Sequence, residues 1–310
     1  MQAHNPTQTI RGRPVLKGPV GRRASKSWRL LFALPAFLVF SLFVVYPFLL
    51  SINLSFSDWN GIDPDYHYIG FDNFRAMFDG QLARASVFQT ILLTAGNIFG
   101  AVVLGLLLAL LLDKQMWVGN LAKSIFFIPC VMSSFIIGII WMYMYQYDGG
   151  ALNSVLALFG LGPVDWLPNS RFSLFSVLLT QWWQWAGYSA TIFIANLQSI
   201  PGDLYEAADL EGAGGWEKFW NVTWPLLTPS LRINLIFSLT GGLKLFDIIF
   251  SLTRGGPGYS TSTVGYAIYQ MGFQSGQIGV GSALSLTVLL FSVVCVALLV
   301  LLLNKREVEV

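Results

Sequence analysis

The sequence predicts an all-α membrane protein with six transmembrane helices and one large polar loop between two of them. Hydrophobic residues make up 55% of the 310 residues and charged residues only 11%, against about 25% charged in an ordinary soluble domain. The mean hydropathy is +0.61. Apolar runs long enough to cross a bilayer recur along the chain, and Lys and Arg collect in alternate connecting segments.

Each predicted span is a run of about 20 or more mainly apolar residues, the length that a helix needs to cross a bilayer. The runs cover residues 28–52, 86–112, 124–145, 173–197, 231–252 and 282–303. The chain therefore divides into a basic N-terminal tail (1–27), a transmembrane domain with a polar loop at 199–230 (28–304), and a C-terminal tail (305–310). The apolar segment 151–161 is too short to span, and we expect a short helix there on the outer face.

The second run carries Gly96 and Gly100, a small-xxx-small spacing. Small residues at this spacing let two helix backbones approach closely in lipid. We expect these two glycines to pack against another helix of the same chain, since this is the common use of the motif in membrane helices.

The distribution of basic residues predicts the orientation. Seven of them lie before or at the very start of the first run, with no acidic residue among them: Arg11, Arg13, Lys17, Arg22, Arg23, Lys26 and Arg29. Cytoplasmic segments of membrane proteins carry an excess of Lys and Arg, so the N-terminus is predicted to be cytoplasmic. With six crossings the C-terminus is cytoplasmic too, and the basic tail is a topological signal rather than a nucleic-acid-binding one.

The chain carries no signature of an enzyme. It has neither a G-x-x-x-x-G-K-[ST] phosphate loop nor an H-E-x-x-H zinc motif, and its two histidines are His4 and His67. We therefore expect no catalytic residue, no metal site and no bound cofactor, and any ATP chemistry must reside on another polypeptide.

The polar loop at 199–230 breaks the charge rule, because it is predicted to be cytoplasmic and yet is acidic. Its first half reads as a short helix: Asp203 and Glu206 resemble a capping box, and Gly212 is placed to end the helix. Its second half reads as another short helix with an apolar stripe of Trp216, Phe219 and Trp220, closed by Pro225.

Two interpretations of this loop remain open on composition alone. Aromatic side chains on one face and carboxylates on the other suit a surface element that docks in the groove of a partner. The same features fit a solvated loop whose aromatic residues lie at the lipid interface.

The loop also carries a motif, Glu206-Ala207-Ala208-x3-Gly212-x9-Val222-x-Trp224-Pro225, that resembles the EAA signature of the membrane subunits of binding-protein-dependent ABC importers. Val222 replaces the usual Ile and Trp224 the usual Leu. The resemblance covers roughly residues 28–304 and is to the sugar-uptake branch, in particular the larger maltose-type permease component. Other stretches that carry it are Tyr68-Ile69-Gly70-Phe71-Asp72-Asn73-Phe74, Ile128-Pro129, Gly138 with Trp141, Gln198-Ser199-Ile200-Pro201, Phe246-Asp247 and Leu252-Thr253-Arg254-Gly255-Gly256-Pro257-Gly258.

The resemblance implies the permease architecture of a type I ABC importer and a set of partners. This chain would form half of the translocation path for a sugar, oligosaccharide or sugar derivative, beside a second related permease. An extracytoplasmic solute-binding protein would deliver the substrate, and two ATPase subunits would bind ATP and Mg in the cytoplasm of a bacterial or archaeal cell. The loop 199–230, called the EAA loop below, would couple to the ATPase through Glu206, Ala207, Ala208, Gly212, Trp216, Phe219 and Pro225.

Residues of the fourth and fifth runs are candidates for the substrate path. Gln181, Gln184, Trp185 and Tyr188 share one face of a helix, and amide and phenol groups can bond sugar hydroxyls. Ser238, Gly241, Gly242 and Leu245 form the equivalent face of the fifth run, where the glycines would thin or unwind the helix beside a cavity. In the alternative interpretation, Gln and Tyr bridge helices and the Trp residues pack or face lipid.

Lys244 and Asp247 are charged residues within a predicted span, where a charged side chain costs free energy and usually has a functional or structural role. Two interpretations are open: the two residues form an ion pair three residues apart on one helix, or Lys244 meets an anionic group of the substrate. Two other functional classes stay open: a secondary transporter, for which only Asp247 offers an intramembrane carboxylate, and a non-transporting membrane scaffold.

Overall fold

The computed structural model describes residues 26–112 and 117–304, and within these ranges the chain is helical with no β-strand. Four of its helical segments are π-helical turns, at Ser41–Val45, Phe219–Thr223, Ile249–Thr253 and Gln270–Gln274. The α-helices are α1 Lys26–Phe40, α2 Tyr46–Leu54, α3 Asp72–Asp79, α4 Gln81–Leu112, α5 Trp117–Val131, α6 Ser134–Met144, α7 Ala151–Leu158, α8 Ser170–Leu197, α9 Gly202–Leu210, α10 Gly215–Lys218, α11 Trp224–Leu226, α12 Thr228–Leu243, α13 Val264–Tyr269 and α14 Ile278–Asn304.

Contacts divide the chain into two compact units, residues 1–49 and residues 50–310. In the first unit, α1 runs into the π-turn Ser41–Val45 and on into α2, so that the predicted span 28–52 is helical throughout. The predicted tails, apart from the start of α1, lie outside the described residues.

The predicted number of six spans is not confirmed. Among the described residues, three helical stretches are long and apolar enough to cross a membrane: Phe32–Leu54, Gln81–Leu112 and Ile278–Leu303. The third predicted span, 124–145, is two helices, α5 and α6, that meet at an angle of 101° and count as a fourth span if taken together. Pro129 removes a hydrogen bond from the last turn of α5, and Ser133 has an extended backbone, so the helix cannot continue straight.

The fourth and fifth predicted spans differ from simple apolar helices for different reasons. Helix α8 has 28 residues, but polar side chains along its buried face, among them Thr180, Gln181 and Gln184, make it less apolar than the other long helices. The fifth predicted span is broken, since α12 ends at Leu243 and helical structure resumes only at Asp247.

The packing of the second unit centres on the contact between α4 and α8. A Cβ atom added to Gly100 would lie 2.0 Å from Nε1 of Trp182, and one added to Gly96 would lie 2.8 Å from Leu178. The Trp182 indole donates a hydrogen bond of 3.1 Å to the Gly96 carbonyl. The small-xxx-small face therefore packs within the chain, as the sequence predicts.

Two further helices enclose one side of this contact. Helices α5 and α12 pack against α8 and α4, respectively, and α6 packs against the π-turn Ile249–Thr253. The main hydrophobic core lies between these elements and includes Leu93, Ile137, Trp141, Val177 and Ile248. The short helix predicted at 151–161 is present as α7.

Candidate functional site

A polar cavity of about 160 Å³ lies where α4, α8, α12 and the break after α12 meet. Because the break frees the chain from helical geometry beside the cavity, it brings consecutive residues into the wall. The lining residues are Asn97, Ser134, Gln181, Trp185, Phe237, Ser238, Gly241, Lys244, Leu245, Phe246, Asp247 and Ile248.

Three of the lining residues are buried polar side chains without a hydrogen-bond partner in the described part of the chain. Asn97 is 6% exposed, Gln181 4% and Ser238 3%, and the Oδ1 atom of Asn97 is fully buried without a partner. Leaving a buried polar group unpaired costs roughly 1–3 kcal/mol. Gln181 and Ser238 line the cavity without such a fully buried atom, so their amide and hydroxyl groups can bond water or the hydroxyl groups of a ligand there.

The structure brings five of the eight predicted path residues together in this wall. Gln181 and Trp185 come from α8, Ser238 and Gly241 from α12, and Leu245 from the break. Gly241 has open space where its Cβ would be. The unwinding that the sequence predicts near the two glycines begins directly after Leu243.

The other three predicted path residues do not line the cavity. Gln184 is fully buried and its Nε2 donates a 2.9 Å hydrogen bond to Oγ of Ser134. The Tyr188 ring packs 4.4 Å from that of Phe237. A Cβ on Gly242 would lie 2.7 Å from Oγ1 of Thr94. These side chains hold helices together in this structure, and a role for them in the path stays a prediction.

Asn97 is one of the lining residues that sequence reasoning missed, together with Ser134, Phe237, Phe246 and Ile248. Asn97 lies between Gly96 and Gly100 on α4, and the glycine motif predicts close helix packing rather than a polar site. The available signal was an amide in the middle of a 32-residue helix that has no charged residue between Val87 and Leu112, because a polar side chain at membrane depth needs a partner.

Lys244 and Asp247 do not form an ion pair in this structure. The prediction placed them one turn apart on a continuous helix, but Lys244 is the residue that caps α12, and Asp247 begins the next helical turn. Both side chains are exposed and both residues line the cavity. The interruption between them removes the helical spacing on which the predicted pair depended.

The first half of the EAA loop is α9. It begins at Gly202 with Pro201 as the N-cap, so Asp203 lies in the first turn and the predicted Asp203–Glu206 capping box is wrong. Gly212 ends the helix as predicted, with φ of +79°. The amides of Ala213 and Gly212 donate to the carbonyls of Ala208 and Asp209, the pattern of a Schellman motif.

The second half of the EAA loop is a longer helical segment than the sequence predicts. Glu217 accepts a hydrogen bond of 2.8 Å from the amide of Gly214, which is the N-cap of α10. Pro225 does not close the helix, since the π-turn Phe219–Thr223 leads directly into α11. A wider turn before proline relieves the clash between its ring and a preceding carbonyl.

The EAA loop presents an aromatic cluster and free carboxylates. The rings of Trp216, Phe219, Trp220 and Trp224 contact one another with centroids 5.3–6.4 Å apart, and Trp216 is 74% exposed. An ion pair between Lys218 and Asp209 ties the two halves of the loop together. Glu206 is exposed and has no partner in the described ranges.

The remaining coupling candidates lie on the same loop. Ala207 is exposed and Ala208 is half-buried beside Glu206 on α9, while Pro225 is half-buried at the start of α11. Within the described ranges, no group of three or more His, Cys, Asp or Glu side chains could hold a metal ion.

Residues 101–307 match the family model described as "binding-protein-dependent transport system inner membrane component". The chain is 33% identical to the probable starch degradation products transport system permease protein AmyD of Thermoanaerobacterium thermosulfurigenes, over 91% of this chain and 96% of the relative. It is also 33% identical to the sulfoquinovosyl glycerol transport system permease protein SmoG of Agrobacterium fabrum, over 88% of this chain and 89% of that protein.

The fold is shared with a chain in the crystal structure of a bacterial ABC transporter that imports the acidic polysaccharide alginate. The TM-score is 0.79 at 22% identity, and the match covers 91% of this chain and 97% of that one. The family match and the structural match both include the EAA loop and most of the residues that line the cavity. This chain belongs to the family of binding-protein-dependent transport system inner membrane components.

Proposed function

We propose that this chain forms half of the translocation path of an ATP-driven importer of a sugar, oligosaccharide or sugar derivative. The observation that carries the sugar assignment is the cavity, whose lining includes the amide residues Asn97 and Gln181 and the hydroxyl residue Ser238. The names of the two relatives, one for starch degradation products and one for a glycosyl glycerol, support the same class of substrate.

The lining of the cavity has the two kinds of group that a sugar needs. A sugar ring presents hydroxyls at its rim and a patch of C–H groups on its face. Amides and hydroxyls can donate and accept hydrogen bonds to the rim, while Trp185 and Phe237 supply aromatic surface for the face. A purely ionic or apolar solute would leave the buried amides unpaired.

The EAA loop is the element through which we propose that ATP hydrolysis is coupled to transport. Trp216 and Phe219 would enter an apolar groove of an ATPase subunit, and Glu206 would meet a basic or hydrogen-bonding group at its edge. Ala207 and Ala208 would let α9 lie close to that surface, Gly212 provides the turn between the halves, and Pro225 starts the rigid connection to α12. ATP and Mg would be bound by the ATPase partners rather than by this chain.

The complete importer would also contain a second related permease and an extracytoplasmic solute-binding protein, with both termini of this chain in the cytoplasm. A closing motion of the ATPases would move the EAA loop as a rigid handle and turn the cavity from one side of the membrane to the other. For this to happen, the loop must bind the ATPases with different free energies in the two states.

Glu206→Lys tests the coupling role, because it places a cation where an exposed carboxylate without an intramolecular partner now lies. We expect the variant to insert and assemble, and ATP-driven uptake of the substrate in proteoliposomes to fall at least about tenfold, equivalent to about 1.4 kcal/mol of lost interaction free energy. Asp165→Lys is the matched control, since Asp165 is an exposed acid far from the loop in sequence, and its uptake should stay near wild type. Normal uptake by Glu206→Lys would remove Glu206 from the coupling surface.

A further inference from the structure

The cavity wall contains a cation whose role the proposed function does not explain. Lys244 lines the cavity, its side chain is exposed, and no acidic side chain of the described residues forms an ion pair with it. An ionisable residue inside a membrane domain is costly to keep without a partner, and such residues usually mark a substrate or ion path.

The end of α12 is a favourable place for a cationic side chain such as that of Lys244. Lys244 follows directly on the last residue of a 16-residue helix and is its C-cap. The carbonyl groups at a helix C-terminus carry a partial negative charge that stabilises a nearby cation by roughly 0.3–1 kcal/mol. This interaction stabilises a cation at the end of α12, but it does not explain why a lysine faces the cavity instead of lipid or solvent.

The other lining groups do not neutralise Lys244. Asn97, Gln181 and Ser238 are uncharged, and Asp247 lines the cavity without pairing with the ammonium group. Asp247 begins the helical turn after the break, where the amide end of a helix favours a carboxylate. The wall thus presents two separate charges. The carboxylate of Asp247 can accept hydrogen bonds from sugar hydroxyls, and the ammonium group of Lys244 can bind an anion.

We infer that the transported sugar carries an anionic oxygen group, a carboxylate, sulfonate or phosphate, and that Lys244 binds it in the cavity. This inference rests on the proposed sugar import and names the class of sugar. The polar side chains Asn97, Gln181 and Ser238 then bond the hydroxyls of the same molecule, and Lys244 distinguishes it from the neutral sugar of the same shape.

The test uses the complete importer, with its own binding protein, in proteoliposomes. Uptake and ATPase stimulation are measured with hexoses that differ only at carbon 6: glucose, glucuronate, glucose 6-phosphate and 6-deoxy-6-sulfoglucose, together with maltose and its carbon-6-oxidised counterpart. We expect at least one anionic sugar to be taken up better than its neutral counterpart. Lys244→Gln should lower that uptake at least tenfold, and Lys244→Arg should keep it within about threefold of wild type, since both cations bind oxyanions.

Arg171→Gln is the matched control, because it removes an exposed cation at the start of α8 that makes no ion pair in the described ranges. It should leave uptake unchanged. Uptake of neutral sugars only by the wild-type complex, or equal uptake of the anionic sugar by wild type and Lys244→Gln, overturns the inference while sugar import stands. Absence of any sugar uptake by the wild type overturns the proposed function itself. The wild-type comparison still decides whether the transported sugar is anionic if Lys244→Gln fails to assemble.

Discussion

At the scale of single residues, Gly100 is a point of close approach between α4 and α8. A methyl group there would fall 2.0 Å from Nε1 of Trp182 and would displace the ring that bonds the Gly96 carbonyl. Because overpacking costs about 1–3 kcal/mol and the lost hydrogen bond about 1 kcal/mol more, we expect Gly100→Ala to lower the melting temperature of the detergent-solubilised importer by on the order of 5 °C. Thermal unfolding followed by light scattering or intrinsic fluorescence measures the shift.

Gly80→Ala is the control for this prediction, since nothing lies within 4 Å of its added Cβ and its φ is negative. Its melting temperature should match that of the wild type. An unchanged melting temperature for Gly100→Ala would mean that α4 and α8 are less closely packed than the structure describes.

Residue types and spacing predict much of this contact but only part of the cavity. The packing role of Gly96 and Gly100 can be predicted from the sequence, because small residues four apart in a membrane helix commonly mark a close contact between two helices. Gln181 and Gln184 share a helix face in the sequence, yet only Gln181 reaches the cavity, since Ser134 of α6 occupies the position next to Gln184. Which amide meets a partner depends on a neighbouring helix that periodicity does not locate.

At the scale of elements, the turn of the EAA loop rests on the left-handed backbone of Gly212. A side chain in this conformation costs about 1–2 kcal/mol, so Gly212→Ala should loosen the Schellman turn and lower the ratio of sugar uptake to ATP hydrolysis several-fold. Both rates are measured in the same proteoliposomes. Gly202→Ala, which lies in the same loop with open space around its Cβ, should leave the ratio unchanged. Equal ratios for the two variants would show that the rigidity of the turn does not matter to coupling.

Proline illustrates what the sequence predicts about elements and what it does not. Proline at position 225 was expected to stop a helix, but the chain widens into a π-turn and the helix continues. Pro129, by contrast, is followed within four residues by a bend of 101° between α5 and α6. A proline in a helix can leave the helix continuous or can precede a sharp bend, and the tertiary contacts around it decide between the two outcomes. The presence of proline in the sequence therefore does not predict which outcome occurs.

At the scale of the whole molecule, hydropathy identifies the most apolar helices and misses two of the helices that build the cavity. The helices recognisable by length and composition include Ile278–Leu303, in which 6% of the apolar stretch is buried, and Gln81–Leu112, in which 28% is buried. Helix α8 and the broken α12 carry the polar cavity wall, and this is why they read as weaker spans. A six-span topology therefore has to be tested at these two elements.

Single cysteines on either side of α8 and α12 make that test in a background with Cys130 and Cys295 replaced by Ser. Asp165 and Glu211 are exposed residues before and after α8, and Tyr259 is an exposed residue after α12. With six spans and cytoplasmic termini, Asp165→Cys and Tyr259→Cys should react with a membrane-impermeant maleimide on intact cells, and Glu211→Cys only after permeabilisation. If Asp165→Cys and Glu211→Cys are labelled from opposite sides, α8 must cross the membrane despite its polar face. If Glu211→Cys and Tyr259→Cys are labelled from opposite sides, the segment that contains α12 and the break after it must cross the membrane too. Labelling of all three from one side would leave α8 and α12 as re-entrant elements, and if that side were the outside, the EAA loop would lie on the wrong side of the membrane to meet an ATPase.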